Sequence, residues 1–210
     1  MPRRSAADAA RTRLDILRVA RKLFSEQGYA ATTTSEIAEA AGVTVGALFH
    51  HFDGKLGLFR SVFESLEVEM DSYVRETAGP PTGGLETFLT GFRAYLEFAK
   101  RRDFHRIVML EGPVVLGEAE WHAIDVRQGA TTLMEGLQLL VAEGIIEDRP
   151  LRPLALLLLG AMSEAGFTVA RGGSRKDLDA LVDAMRYLLT SHLKKNNRPV
   201  GPATRVRRTR

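Results

Sequence analysis

The sequence predicts an all-α protein in which an N-terminal three-helix unit is joined by a linking helix to a C-terminal helical bundle. Three observations predict it. Apolar residues recur at helical spacing almost throughout, and no stretch sustains the period-two alternation with β-branched enrichment that a strand needs. Thr or Asp stands before several of these apolar segments and Gly just after them, the signature of helix starts and stops. Apolar residues make up 45% of the 210, enough to bury a core, so the chain as a whole is not read as disordered.

Each element follows in order. Ile16, Leu17, Ala20, Leu23 and Phe24 share one helix face, and Gly28 stops that helix because glycine enters the left-handed conformation cheaply; the first helix spans about 9–27. Thr33 with Glu36 three residues on forms a capping box, Ile37, Ala38 and Ala41 give a short apolar face, and Gly42 ends the second helix. Thr44 caps a third helix over 45–51. Asp53 is read as the cap of a fourth, from near Lys55 to about Thr77, carrying Leu56, Phe59, Val62, Phe63 and Leu66. The Ala-Gly-Pro-Pro-Thr-Gly-Gly run at 78–84 is the clearest break in the chain. Beyond it helices are expected at about 85–101, 104–110, 118–143, 153–170 and 175–192, with a break at Gly112-Pro113 and a short apolar piece at 114–116.

Charge divides the chain further. Residues 1–60 carry a net +3, residues 61–193 a net −7 and residues 194–210 a net +7. Basic ends around an acidic middle confine polyanion binding to the ends. The expected organisation is a basic arm (1–10), an N-terminal helical unit (11–60), a larger helical unit (61–193) and a disordered basic tail (194–210), solvated or in contact with a polyanion. The absence of Cys removes disulfides and thiolate chemistry and fits a cytoplasmic protein. Met1–Arg13 is basic without an apolar stretch behind it, so no secretory signal is read. The longest apolar run, Leu154–Met162, is too short for a membrane span of about 20 residues and reads as a buried helix segment.

Two short helices joined at Gly42-Val43-Thr44 have the spacing of a helix-turn-helix, with motif limits 33–52. Glycine at the bend serves a sharp turn and avoids a Cβ that would obstruct close packing. Ala38 and Val43 seal the two helices together, while Ile37 and Leu48 point to the first helix. In such motifs the second helix enters the major groove and the first crosses the phosphate backbone.

The stretch Leu14–Phe63 resembles the TetR-like transcriptional regulators. The resemblance is carried by Thr33–Lys55, by His51-Phe52-x-x-Lys55 within it, and by the preceding Phe24-x-x-x-Gly28-Tyr29. It implies that Thr34 and Ser35 bond phosphates through hydroxyls and backbone N–H, that Lys55 meets phosphate as a point charge, that Thr44, Val45, Gly46 and Ala47 face base edges, and that Phe49 and His51 flank the backbone. His50 and Thr33 complete the candidate surface, Thr33 chiefly as a cap. The family usually has Tyr where this chain has Phe49, so one phosphate hydrogen bond is lost. The small, mostly apolar reading positions leave more to thymine methyls and DNA shape.

The resemblance further implies a pocket for a small, largely apolar effector and a homodimer that reads a palindromic double-stranded operator. Phe63, Met70, Phe88, Phe92, Tyr95, Met109, Trp121, Met134 and Phe167 are the candidate pocket residues, as Met and aromatic side chains line adaptable cavities; each is also an ordinary core residue by pattern. Glu111, His105, His122 and Glu164 are candidate polar groups within it. Leu154, Leu157, Leu158, Ala161 and Ala165 form one apolar stripe near the C-terminus and Leu178, Leu181, Met185 and Leu188 another, together the candidate dimer interface. No metal-ligand spacing, P-loop, dinucleotide fingerprint or nucleophile elbow occurs, so neither an enzyme nor a cofactor is expected. Adjacent His50 and His51 diverge by about 100° on a helix, which disfavours a shared metal. The competing reading is an architectural DNA-binding protein that uses its basic tail without sequence choice.

Overall fold

The computed structural model describes residues 6–80 and 84–191, and every regular element among them is helical. In chain order these are α1 (Ala6–Gln27), α2 (Thr34–Ala40), α3 (Val45–His51), α4 (Gly54–Ala78), α5 (Gly84–Ala99), a π-type segment (Phe104–Glu111), α6 (Gly112–Leu116), α7 (Glu118–Ala142), α8 (Leu151–Ala170) and α9 (Arg175–Thr190).

Three local expectations change. Ala6–Ala10, assigned to the basic arm, already belongs to α1; residues 1–5 and the tail lie outside the described residues. Asp53 makes no side-chain cap to α4, because the turn is closed by the backbone, with Gly54 N donating to Phe52 O at 2.9 Å. Gly112-Pro113 does not break the chain. Gly112 is helical (φ −49°, ψ −56°) and Pro113 falls in the first turn of α6, where its missing N–H is not needed, so the π-type segment runs straight on. A capping box also escaped the sequence reading: Ser174 and Asp177 close the start of α9 as Thr33 and Glu36 close that of α2.

The core has two foci on one helix. Ile16, Ala20 and Phe24 of α1 are buried with Ile37, Ala38 and Leu48 against Leu58, Phe59 and Val62 of α4. The rings of Phe24, Tyr29 and Phe59 form a cluster with centroids 5.2–5.9 Å apart. Further along α4, Phe63, Leu66 and Met70 are buried among α5, the π-type segment and α7. At about 1.5 Å per residue α4 extends roughly 37 Å, so one rigid rod serves both foci.

The end of α1 is held from outside its own neighbourhood. Gly28 turns the chain at φ +89°, and the next amide, Tyr29 N, donates to Glu111 Oε2 at 2.8 Å. Arg106 donates to Glu26 O at 3.2 Å and to Glu111 Oε1 at 3.3 Å, placing a cation at the negative end of the helix. The backbone angle requires glycine, and a Cβ on Gly28 would also lie 2.5 Å from Glu111 Oε1 and displace that carboxylate. One turn and a half earlier, Arg21 bonds Asp103 Oδ2 from Nε (2.9 Å) and Nη2 (2.6 Å) and Glu69 Oε2 from Nη1 (2.6 Å), while Arg101 holds the other Glu69 oxygen at 2.7 Å. Burial pushes the Asp103 and Glu69 carboxyls up, but hydrogen bonds from the arginines outweigh it and hold both below the ordinary carboxylate range.

A lowered folded-state pKa contributes stability that is complete above the unfolded value, near pH 4, and disappears as pH falls through the lowered one. Arg21→Ala is therefore expected to cost about 1–3 kcal/mol at pH 7 by urea denaturation. The gap from wild type should narrow steadily below about pH 4. A gap that is constant with pH would show that the ion cluster does not act as described.

Candidate nucleic-acid interface and ligand cavity

The fold of the helix-turn-helix is set by its caps. Thr33 Oγ1 accepts from Glu36 N at 3.2 Å, while the Glu36 carboxylate accepts from both Thr33 N and Thr33 Oγ1 at 2.8 Å. The Thr33 hydrogen bonds hold the Glu36 carboxyl below its ordinary range. Thr44 Oγ1 accepts from Ala47 N at 3.1 Å and starts α3. Between them Gly42 has φ +67° and Val43 N donates to Ala38 O at 2.9 Å. A Cβ on Gly42 would meet nothing within 4 Å. The glycine is thus required by backbone angle and not by helix packing, which corrects the second reason given from sequence. Ile37, Ala38 and Leu48 are buried as expected, with Val43 half-buried beside them.

The other face is open. Val45, Gly46, Phe49 and His50 are exposed, Phe49 at 54%, with Ala47 and His51 half-buried. Thr34 and Ser35 stand in the first turn of α2, Thr34 half-buried and Ser35 exposed. Thr33 has both its acceptor and its hydroxyl hydrogen engaged in the capping box, consistent with a cap rather than a contact. Lys55 is half-buried, its ammonium 4.3 Å from the centre of the Tyr29 ring and 3.4 Å from Ala30 O. A lysine carries three donor hydrogens, so this hold leaves others for a phosphate. Phe52 is core at 5% exposure, and the Arg13 guanidinium lies 5.0 Å over its ring. Arg13 thereby joins the end of α3, a placement that no spacing in the sequence announced.

A cavity of about 670 Å³ lies between α4, α5, α7 and α8. Met70, Phe88, Phe92 and Tyr95 line it as expected. The other five candidates do not. Phe63 and Trp121 pack around Gly112, and the Trp121 indole N–H donates to Val108 O at 3.0 Å. Met109 is buried beside Gly166, Met134 sits half-buried outside the lining, and Phe167 lies under the Arg171 guanidinium at 5.6 Å. Of the polar candidates, Glu111 serves the end of α1, His122 and Glu164 are exposed, and none of the four lines the cavity. His105 is half-buried, and burial with nearby Arg171 lowers its pKa. The cavity's charged groups are instead Asp71, Arg75 and Glu135, joined by Thr132. Asp71 and Arg75 stand four apart on α4, a spacing that also marks ordinary surface pairs, so the sequence alone did not single them out.

The C-terminal stripes also need correction. Leu158, Ala165, Leu178 and Met185 are buried inside the chain and present no surface to a partner; Leu154 and Leu181 are half-buried against the same core. Each of these points inward because helical rotation splits every stripe between two faces. Ala161 and Leu188 do face outward, together with Leu157 at 75% and Tyr187 at 65% exposure. Leu154–Met162 is therefore not a wholly buried segment: α8 is long and apolar enough to cross a membrane by length and composition, yet only 28% of its most apolar stretch is buried.

Comparison with known proteins agrees with this geometry. Residues 16–62 match the family of bacterial regulatory proteins of the tetR type, and residues 85–192 match the tetracyclin repressor-like C-terminal domain. The HTH-type transcriptional regulator AcrR of Shigella flexneri is 48% identical over 67 residues, 32% of this chain and 31% of that protein. The HTH-type transcriptional repressor BepR of Brucella suis is 48% identical over 60 residues, 29% of each. The chain thus spans about a third of the length of the curated relatives it matches. A TetR-family regulator of known structure from Pectobacterium atrosepticum is 33% identical, with a TM-score of 0.73 over 89% of this chain and 96% of that one. The fold is also shared with the regulator FadR of Bacillus subtilis, solved with stearoyl-CoA, at a TM-score of 0.64 and 21% identity over 85% of this chain and 97% of that one. With family matches in both halves and a 33%-identical structure along nearly its whole length, this chain belongs to the TetR family of bacterial regulatory proteins.

Proposed function

We propose that the chain is a cytoplasmic repressor that binds a palindromic operator as a homodimer and releases it when a small effector fills the cavity. The observation that carries this reading is the open face of α3, with Val45, Gly46, Phe49 and His50 accessible beside the capped start of α2. In this reading Thr34, Ser35 and Lys55 supply phosphate contacts, Thr44 to Ala47 meet base edges, and Phe49, His50 and His51 lie along the backbone. Residues 11–60 act as the DNA-binding unit, 61–193 as the ligand-binding and dimerisation unit, and no catalytic step is assigned.

The dimer is supported by the outward apolar surface of α8 and α9. Leu157 and Ala161 on α8, with Tyr187 and Leu188 on α9, give a surface that water covers poorly and a second copy covers well. Release follows if the effector binds better to an arrangement of the dimer in which the two α3 helices no longer match the operator.

Two measurements test the reading. In fluorescence anisotropy against its own upstream DNA, the full chain should bind one site specifically. Lys55→Ala should weaken that binding about tenfold and reduce the salt slope by about one. Phe49→Tyr should tighten it a few-fold, about 0.5–1 kcal/mol, by restoring a phosphate hydrogen bond. Absence of any specific site would refute the reading. Separately, Leu157→Asp with Leu188→Asp should convert dimer to monomer by analytical ultracentrifugation, while far-UV circular dichroism stays unchanged. A dimer that survives both charges would place the interface elsewhere.

A further inference from the structure

Helices α4 and α7 are joined by polar rungs that climb both in the same direction. Arg60 Nε meets Glu120 Oε1 at 2.5 Å, Arg127 Nη2 meets Glu64 Oε1 at 3.3 Å, the Thr132 hydroxyl donates to Asp71, and Arg75 Nη1 meets Glu135 Oε2 at 2.7 Å. The last two rungs border the cavity. They are half-exposed, so they stand at its mouth and not in its depth.

The charge of that mouth is informative. Among the described residues the cavity is lined by two carboxylates, Asp71 and Glu135, and one guanidinium, Arg75. All three Arg75 nitrogens are engaged: Nε with Asp71 at 2.9 Å, Nη1 with Glu135 at 2.7 Å and Nη2 with Thr132 Oγ1 at 2.5 Å. An entering anion therefore meets a guanidinium already paired with two carboxylates, and an excess of negative charge. An entering cation meets two carboxylates whose remaining lone pairs can accept further bonds. The rest of the lining is largely apolar and includes the rings of Phe88, Phe92 and Tyr95, whose faces also attract cations.

We propose that the cavity takes a hydrophobic organic cation, with its charge received between Asp71 and Glu135 in place of the Arg75 guanidinium. The apolar body fills the space between α5, α7 and α8. Displacing Arg75 removes the topmost link between α4 and α7, and α4 is the helix that runs back to the helix-turn-helix. The regulatory consequence rests on the repressor reading above; the binding itself does not.

Calorimetric titration of the full chain, without DNA, with tetraphenylphosphonium and tetraphenylborate tests this, as the two ions share shape and differ in sign. The phosphonium should bind at least about tenfold more tightly than the borate. Asp71→Asn with Glu135→Gln should erase that preference. Arg75→Gln should strengthen phosphonium binding, because it frees the two carboxylates. Equal or tighter borate binding, no phosphonium binding, or a preference that survives the double substitution overturns the proposal. Should the double variant fail to fold by circular dichroism, Arg75→Gln decides, and unchanged or weaker phosphonium binding overturns it. A chain that binds phosphonium as described but recognises no operator would refute the repressor reading alone.

Discussion

The structure depends on how the C-terminal end of α1 is satisfied. A helix end leaves carbonyls without partners, and a protein normally closes it locally. Here Gly28 makes the turn, but the groups that complete it, Arg106 and Glu111, come from a segment about 80 residues away. Arg21 reaches the same region through Asp103 and Glu69. These contacts are partly buried and charge-assisted, so they orient as well as stabilise. The three N-terminal helices are consequently held against the C-terminal helices by a geometry with little tolerance for sliding. The π-type segment and its N-cap bring Asp103, Arg106 and Glu111 to α1 within one short stretch.

That joint and the helix α4, which share Glu69, together connect the N-terminal helices to the elements around the cavity. One is polar and runs through the π-type segment, whose Met109 neighbours Gly166 and so reaches α8. The other is the continuous amphipathic helix α4, with polar rungs to α7.

Much of this was legible in the sequence, and the limits have physical causes. The element order and the helix-turn-helix were readable because caps and periodicity are local: Thr33, Glu36, Thr44 and Gly28 announce themselves within four residues of what they do. The cavity was half legible. Met and aromatic content identified Phe88, Phe92 and Tyr95, but pattern does not tell a ring that lines a space from one that fills it, as Phe63 and Trp121 do. The carboxylates at the mouth were missed because Asp71 gains its meaning only from Thr132, 61 residues later. The stripes on α8 and α9 were recognised as apolar, yet which half faces outward is decided by helix rotation against the core, and that is a property of the whole fold.

The first turn of α3 carries only small residues, Val45, Gly46 and Ala47. Gly46 has ordinary negative backbone geometry, with only Thr44 Oγ1 near the site of a Cβ, at 3.9 Å. Val45 and Ala47 are small neighbours. A new side chain at Gly46 therefore meets open space, and a substitution there adds a group where none was present. In evolutionary terms, a substitution at Gly46 adds a side chain without first removing one, so in the proposed role a new reading preference can arise there by gain.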